Sequence, residues 1–316
     1  MARLSGVSVA TVSRVLNEPS LVSETTRARV LEHVRALDYI PNAAARTLVR
    51  RRSQLVGVVV NTGVEHPDLK HPFFQDVLVG LKDAVGSHEY DLLLFSTGES
   101  FLRRALRHQV DGLVLMGVDR NDADLHALLV REVPVVAVDL DVAGPRAGYV
   151  MSDNVTGARL AVAHLAGRGH ERIATITGLL NTRPGADRLR GYEQELAARG
   201  LPLPPEYVRE GDFYPASGDA ELRALLALPE PPTAVFAASD DIALGALQAL
   251  AEARRELAIV GFDDAELAAI VSLTTIRQDK TALGAAAGAA LVAMIEDDAA
   301  PPALVLPVEL VVRETA

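Results

Sequence analysis

The sequence predicts a small all-α head followed by a larger α/β body of doubly wound parallel sheet, in one large or two smaller sheets. Three observations lead there. The first 52 of the 316 residues contain no strand-like run, whereas the remainder alternates short apolar runs with amphipathic stretches. Those runs are continuous, the pattern of strands buried on both faces. Charge divides at the same place. Residues 1–52 carry nine arginines against four acidic residues, a net of +5, so the rest of the chain holds the −16 that brings the total to −11.

Composition narrows the function classes. A chain with 49% hydrophobic and 23% charged residues is neither disordered nor fibrous. The absence of cysteine excludes disulfides, thiolate catalysis and cysteine-based metal centres, and it fits a reducing compartment. No apolar core of a secretory signal follows the basic N-terminus. The longest uncharged apolar stretch, residues 281–295, is shorter than the ~20 residues needed to cross a bilayer. The expectation is a soluble, cytoplasmic protein with no membrane partner, no cofactor and no metal. Its body would repel a polyanion, so a basic head on it is the division expected when one domain meets nucleic acid and the other does not.

In the head, Ser5-Gly6-Val7-Ser8 reads as a turn, with Ser8 capping a helix from Val9 to about Leu16. Asn17-Glu18-Pro19 ends that helix, and Ser23 caps another that runs to about Leu37. Tyr39-Ile40-Pro41 stops it, because proline pushes the residue before it out of the helical region. Residues 42–49 form at most one more short helix. Two helices about a glycine turn make a helix–turn–helix layout. The N-terminal end of the second would enter a major groove, where Arg14, beside Ser13, addresses guanine and Val9 and Ala10 meet thymine methyls. Ser8, Thr11 and Asn17 are placed for phosphate oxygens.

In the body, strands are expected at 55–60, 90–95, 112–116, 134–138, 173–177, 234–237, 258–261 and 304–306. Helices are expected at 74–85, 125–130, 155–166, 186–199, 221–228 and 243–254, and 281–295 reads as a buried helix.

Several segments together resemble the LacI/GalR family of bacterial transcription repressors. GVSVATVSRVLN (6–17), VSETTRARVLEHV (22–34) and YIPNAAARTL (39–48) are similar to its headpiece. The body agrees in order, with HPFF (71–74), VDGLVL (110–115), DRLRGY (187–192), EGDF (210–213), ASDDIALGAL (238–247), VGFDD (260–264) and LTTIRQDK (273–280). The resemblance implies a head at 1–40, a hinge helix and linker at 41–52, and a periplasmic-binding-protein type I body at 53–316. The body's N-subdomain would span about 53–152 plus 279–303, and its C-subdomain about 153–278 plus 304–316.

The resemblance also implies roles. The hinge helix contacts the minor groove through Asn42, Ala45 and Leu48, with Leu48 as a wedge at a base step. Eight residues are too few to sustain an isolated helix, so partner and DNA must stabilise it. In the body cleft, Phe73, Phe74, Arg188, Phe213, Asp240 and Gln278 are the implied effector contacts. Asp241 stands where the family is normally apolar. Glu65 and His66, in an extension at the cleft mouth, are further candidates. The implied partners are palindromic operator DNA, a sugar-like small molecule and a second copy of the chain, because two-fold symmetry matches the palindrome. The head begins late relative to the family, so the expected first helix is barely one turn and the expected native start lies upstream.

Catalysis has no constellation here: no HExxH, GxSxG, Walker loop or strand-borne GxGxxG. Asp263-Asp264 and Asp139/Asp141 are paired acids without an identifiable partner base. The alternative from another class is a transport-associated sugar-binding protein. It would carry a signal peptide and would not need an arginine-rich head.

Overall fold

The computed structural model describes residues 2–17, 19–37, 52–60, 69, 71–95 and 100–316. Asn42, Ala45 and Leu48 of the expected hinge helix, and Glu65 and His66 of the extension, lie outside the described residues.

The head is a three-helix unit of Ala2–Ser5, Val9–Asn17 and Glu24–Ala36. Val12 and Val15 on the second helix and Val30 on the third are buried together, with Ala2, Val7, Val22, Leu31 and Val34 packed around them. Even one turn of first helix therefore closes this small core. Gly6 makes the turn at φ 61°, a conformation that costs glycine nothing. Ser8 caps as expected, its Oγ accepting the Thr11 amide at 3.0 Å. Ser23 stands at the N-cap position of the third helix, but its hydroxyl binds those of Thr25 and Thr26 instead of a backbone amide.

The body holds twelve strands among the described residues. They are β1 Leu55–Val60, β2 Asp91–Leu94, β3 Gly112–Met116, β4 Val135–Val138, β5 Ala147–Ser152, β6 Ile173–Thr177, β7 Val208–Glu210, β8 Ala234–Ala237, β9 Ala258–Asp263, β10 Thr274–Gln278, β11 Ala303–Leu306 and β12 Val308–Val311. They form two six-stranded sheets, ordered β11-β5-β4-β3-β1-β2 and β12-β10-β9-β8-β6-β7. Every pairing is parallel except β10 with β12. Each sheet separates two apolar clusters, which is why β1, β3, β4 and β8 read as unbroken apolar runs.

The chain passes between sheets three times: after β5, after β10 and after β11. The buried helix Lys280–Glu296 packs on the first sheet and on helix Pro72–Gly86. The third passage falls at Pro307 and not after Ala303 as expected, because Ala303–Leu306 pairs with β5 in the first sheet. β5, β7, β10 and β12 were not expected as strands. β10 reads Thr-Thr-Ile-Arg-Gln, and its Thr274 hydroxyl is satisfied by the Ala316 carbonyl and the Arg313 amide. Among the described residues no helix is long and apolar enough to cross a membrane.

Candidate functional site

In open parallel sheets, ligands bind beyond the carboxyl ends of the strands. Here the two sheets turn those ends toward one another across a cleft enclosing about 760 Å³, open mouth included. The first subdomain contributes His71, Phe73 and Phe74 at the start of helix Pro72–Gly86, Val118 and Arg120 after β3, and Val138, Asp139 and Leu140 at the end of β4. The second contributes residues 181–184 after β6, Arg188 on helix Arg183–Arg199, Phe213 after β7, Asp263 ending β9 and Gln278 ending β10.

Arg188 is the central cation. It is 3% exposed, and its Cζ lies 3.6 Å from the centre of the Phe262 ring. Nε donates to Asn154 Oδ1 at 2.7 Å and Nη1 to the Ala238 carbonyl at 2.5 Å. Burial lowers its pKa, and the surrounding Asp263, Asp139, Asp240 and Asp187 oppose that. Asp139 is pushed up to about 6 by burial, against the pull of Arg188. Asp263 accepts from the Gln278 amide through Oδ1, and its backbone carbonyl accepts from Lys280 Nζ at 3.0 Å. Since a carboxylate only accepts, the Gln278 nitrogen must face Asp263. Its Oε1 is then buried with no donor among the described residues.

Three non-glycine residues on this wall adopt positive φ: Asp139 at 56°, Phe213 at 70° and Asp263 at 122°. Such conformations cost energy and persist where surrounding structure enforces them, as at ligand sites. The Phe213 ring lies over Gly178, where a Cβ would stand 1.9 Å from Phe213 Cζ.

Ion pairs span the cleft. Asp141 of the first subdomain takes Arg183 of the second, Nη1 to Oδ2 at 2.6 Å, and its own subdomain's Arg120 at 2.6 Å. Arg183 also binds Asp187 at 2.6 Å. At another edge His71 faces Asp241, with Nε2 and Oδ2 3.6 Å apart.

Phe73, Phe74, Arg188, Phe213 and Gln278 thus meet around one cavity. Asp240 does not join them. It is 1% exposed, and its two oxygens are committed to the Thr275 hydroxyl at 2.5 Å and the Ala265 amide at 2.7 Å. Ser239 takes the N-cap position, which leaves Asp240 facing the ends of β9 and β10; burial and the neighbouring Asp263 raise its pKa. Asp263 and Asp139 are the acids on the wall. Both follow apolar strand runs, and that carboxyl-end position was the signal that marks them.

On the head, Ser8, Val9, Ala10 and Arg14 are exposed on one side of the second helix, with Thr11 and Ser13 partly exposed, while Val12 and Val15 face inward. Val9 is 76% exposed, an apolar side chain at the helix N-terminus with nothing covering it. Asn17 ends the helix.

Known proteins share both parts. Residues 1–42 match the family of bacterial regulatory proteins, lacI family, and residues 162–316 match the periplasmic binding protein-like domain. The regulator CelR of Thermobifida fusca is 37% identical over 331 aligned positions, covering 100% of this chain and 96% of the relative. The ribose operon repressor of Haemophilus influenzae is 34% identical over 297, covering 90% and 87%. The solved lac repressor dimer bound to operator and an anti-inducer superposes with a TM-score of 0.86 at 30% identity, covering 99% and 97%. The solved CelR–cellobiose complex gives 0.75 at 33%, covering 100% and 98%. The chain is a DNA-binding transcription regulator and not an enzyme, and it belongs to the LacI family.

Proposed function

We propose that this regulator is a homodimeric repressor whose paired heads read a palindromic operator and whose cleft takes a neutral, sugar-like ligand. One observation carries the ligand class. The cavity walls present a buried donor without an acceptor, His71 Nε2, and a buried acceptor without a donor, Gln278 Oε1, among the described residues. Buried polar groups are paired, so an unpaired donor and an unpaired acceptor on facing walls of one cavity point to a ligand carrying hydroxyls. Phe73 and Phe213 offer faces for the apolar side of a sugar ring. Arg183 and Arg120 are paired with Asp141, and Arg188 lies 3.8 Å from Asp263, so the cations at the cleft are already answered by acids of the protein and none is left to anchor an ionic ligand.

In the head, Arg14 and Val9 read base edges, with Ala10 and Ser13 beside them, while Ser8, Thr11 and Asn17 hold phosphates; Asn42, Ala45 and Leu48 engage the minor groove. In the body, Phe73, Phe74, Arg188, Phe213 and Gln278 contact the ligand, and the subdomains about the three strand crossings close over it. The lac repressor solved as an operator-bound dimer and CelR solved with cellobiose support the reading by likeness.

Thermal unfolding with D-ribose, D-glucose, cellobiose, guanine and hypoxanthine tests it. At least one saccharide is expected to raise Tm in proportion to log concentration. Stabilisation by a purine alone, or by none of the five, would overturn the sugar reading.

A further inference from the structure

His71 and Asp241 belong to opposite subdomains and face each other across one edge of the cleft. His71 is 7% exposed and caps helix Pro72–Gly86, its Nδ1 accepting the Phe73 amide at 3.3 Å. A ring nitrogen that accepts carries no proton, so the proton of the neutral imidazole is on Nε2. Edge contacts with Phe74 and Tyr214, at centroid distances of 6.3 and 6.0 Å, hold the ring in that orientation.

Nε2 is buried and has no hydrogen-bond acceptor among the described residues. Asp241 Oδ2 lies 3.6 Å away, beyond hydrogen-bond reach. The Asp241 side chain keeps 20% of its surface, and the neighbouring Asp240 is already committed to Thr275 and Ala265. One ligand oxygen brought within hydrogen-bond reach of both atoms would accept from Nε2 and donate to the carboxylate. Only a group that does both completes the arrangement, and a hydroxyl is such a group.

We propose that His71 and Asp241 together bind one hydroxyl of the ligand and thereby select which pattern of hydroxyls the cleft accepts. This rests on the sugar reading above. Because the pair is divided between subdomains, the hydroxyl is held by both groups only when the cleft is closed. A ligand lacking that hydroxyl leaves a buried N–H unpaired, the strongest form of discrimination a binding site has.

The test is calorimetric titration of the full chain with whichever of D-ribose, D-glucose and cellobiose stabilises it, and with that sugar's monodeoxy derivatives. His71→Asn retains a capping acceptor but lacks Nε2–H; Asp241→Ala removes the carboxylate, and Asp241→Asn guards against misfolding. His71→Asn and Asp241→Ala are expected to bind the parent sugar about 10- to 100-fold more weakly. One deoxy derivative is expected to bind wild type and these two variants equally. Unchanged affinity for the parent, or a loss shared equally by all derivatives, would overturn the proposal and leave the sugar reading intact. No binding of any of the three sugars to wild type would overturn both.

Discussion

Arg183 and Asp141 are joined across the mouth of the cleft, Nη1 to Oδ2 at 2.6 Å, and they sit on different subdomains. The same carboxylate holds Arg120 of its own subdomain, so one acid ties three elements together. Its side chain is one-third exposed, and an ion pair at such a site contributes modestly, about 0.2–1 kcal/mol. Asp141→Asn should therefore widen the unliganded protein's radius of gyration in X-ray scattering and weaken ligand binding about two- to fivefold, without lowering Tm beyond a few degrees. An unaltered scattering profile with unaltered affinity would show that the pair does not hold the cleft shut.

Asp139 couples the cleft to pH. Its pKa is raised from 3.8 to about 6 in the folded protein, chiefly by burial. Between those values the folded state binds more protons than the unfolded chain, so stability falls as pH rises through that window. The remaining contact with cleft water reduces the effect, leaving about 1–2 kcal/mol. Asp139→Asn is expected to flatten this part of the stability curve in urea titrations from pH 4 to 7. A variant whose curve keeps the wild-type slope would assign the dependence to another group.

Gly178 supports the Phe213 ring, and a methyl group there would stand 1.9 Å from its Cζ. Gly178→Ala must displace the ring from the cleft wall. Ligand affinity should fall about tenfold, since overpacking costs on the order of 1–3 kcal/mol. Calorimetric titration beside a melting curve separates loss of the aromatic wall from loss of the fold.

Arg14 is exposed on the second helix of the head, the helix proposed to read base edges. Arg14→Ala should weaken operator binding by about 1–3 kcal/mol and relax base choice at one position in each half-site. Binding of the wild type should fall steeply with salt, because phosphate contacts release counterions. Anisotropy titrations at several salt concentrations read both effects.

Much of this fold is legible in the residues, for reasons that also mark where legibility stops. β1, β3, β4 and β8 announce themselves because both faces are buried and every position is apolar, and β6 does so although two buried threonines interrupt its run. β10 does not, since the partners of Thr274 lie about 40 residues away and no local pattern encodes them. The same holds at the site. Arg188 and Phe213 stand in recognisable motifs, whereas the choice between Asp240 and Asp263 turns on which acid faces the cleft, and that depends on the register of β9 and β10. The pairs Arg183–Asp141 and His71–Asp241 arise from the meeting of two sheets, and no spacing along the chain marks them.

On the proposed function, a ligand in the body cleft alters the grip of the head on DNA, with Arg188 as the cleft's cation. The most direct measurement is anisotropy of a labelled palindromic operator titrated with wild type and Arg188→Ala, each with and without the stabilising saccharide. Wild type should change its operator affinity at least fivefold when the sugar is added, whereas Arg188→Ala should bind the operator within about threefold of wild type and ignore the sugar, a gap of the size of allosteric coupling, about 1–3 kcal/mol. An Arg188→Ala protein that still responds fully, or a wild type whose operator affinity is the same with and without bound sugar, would contradict this coupling of cleft to head.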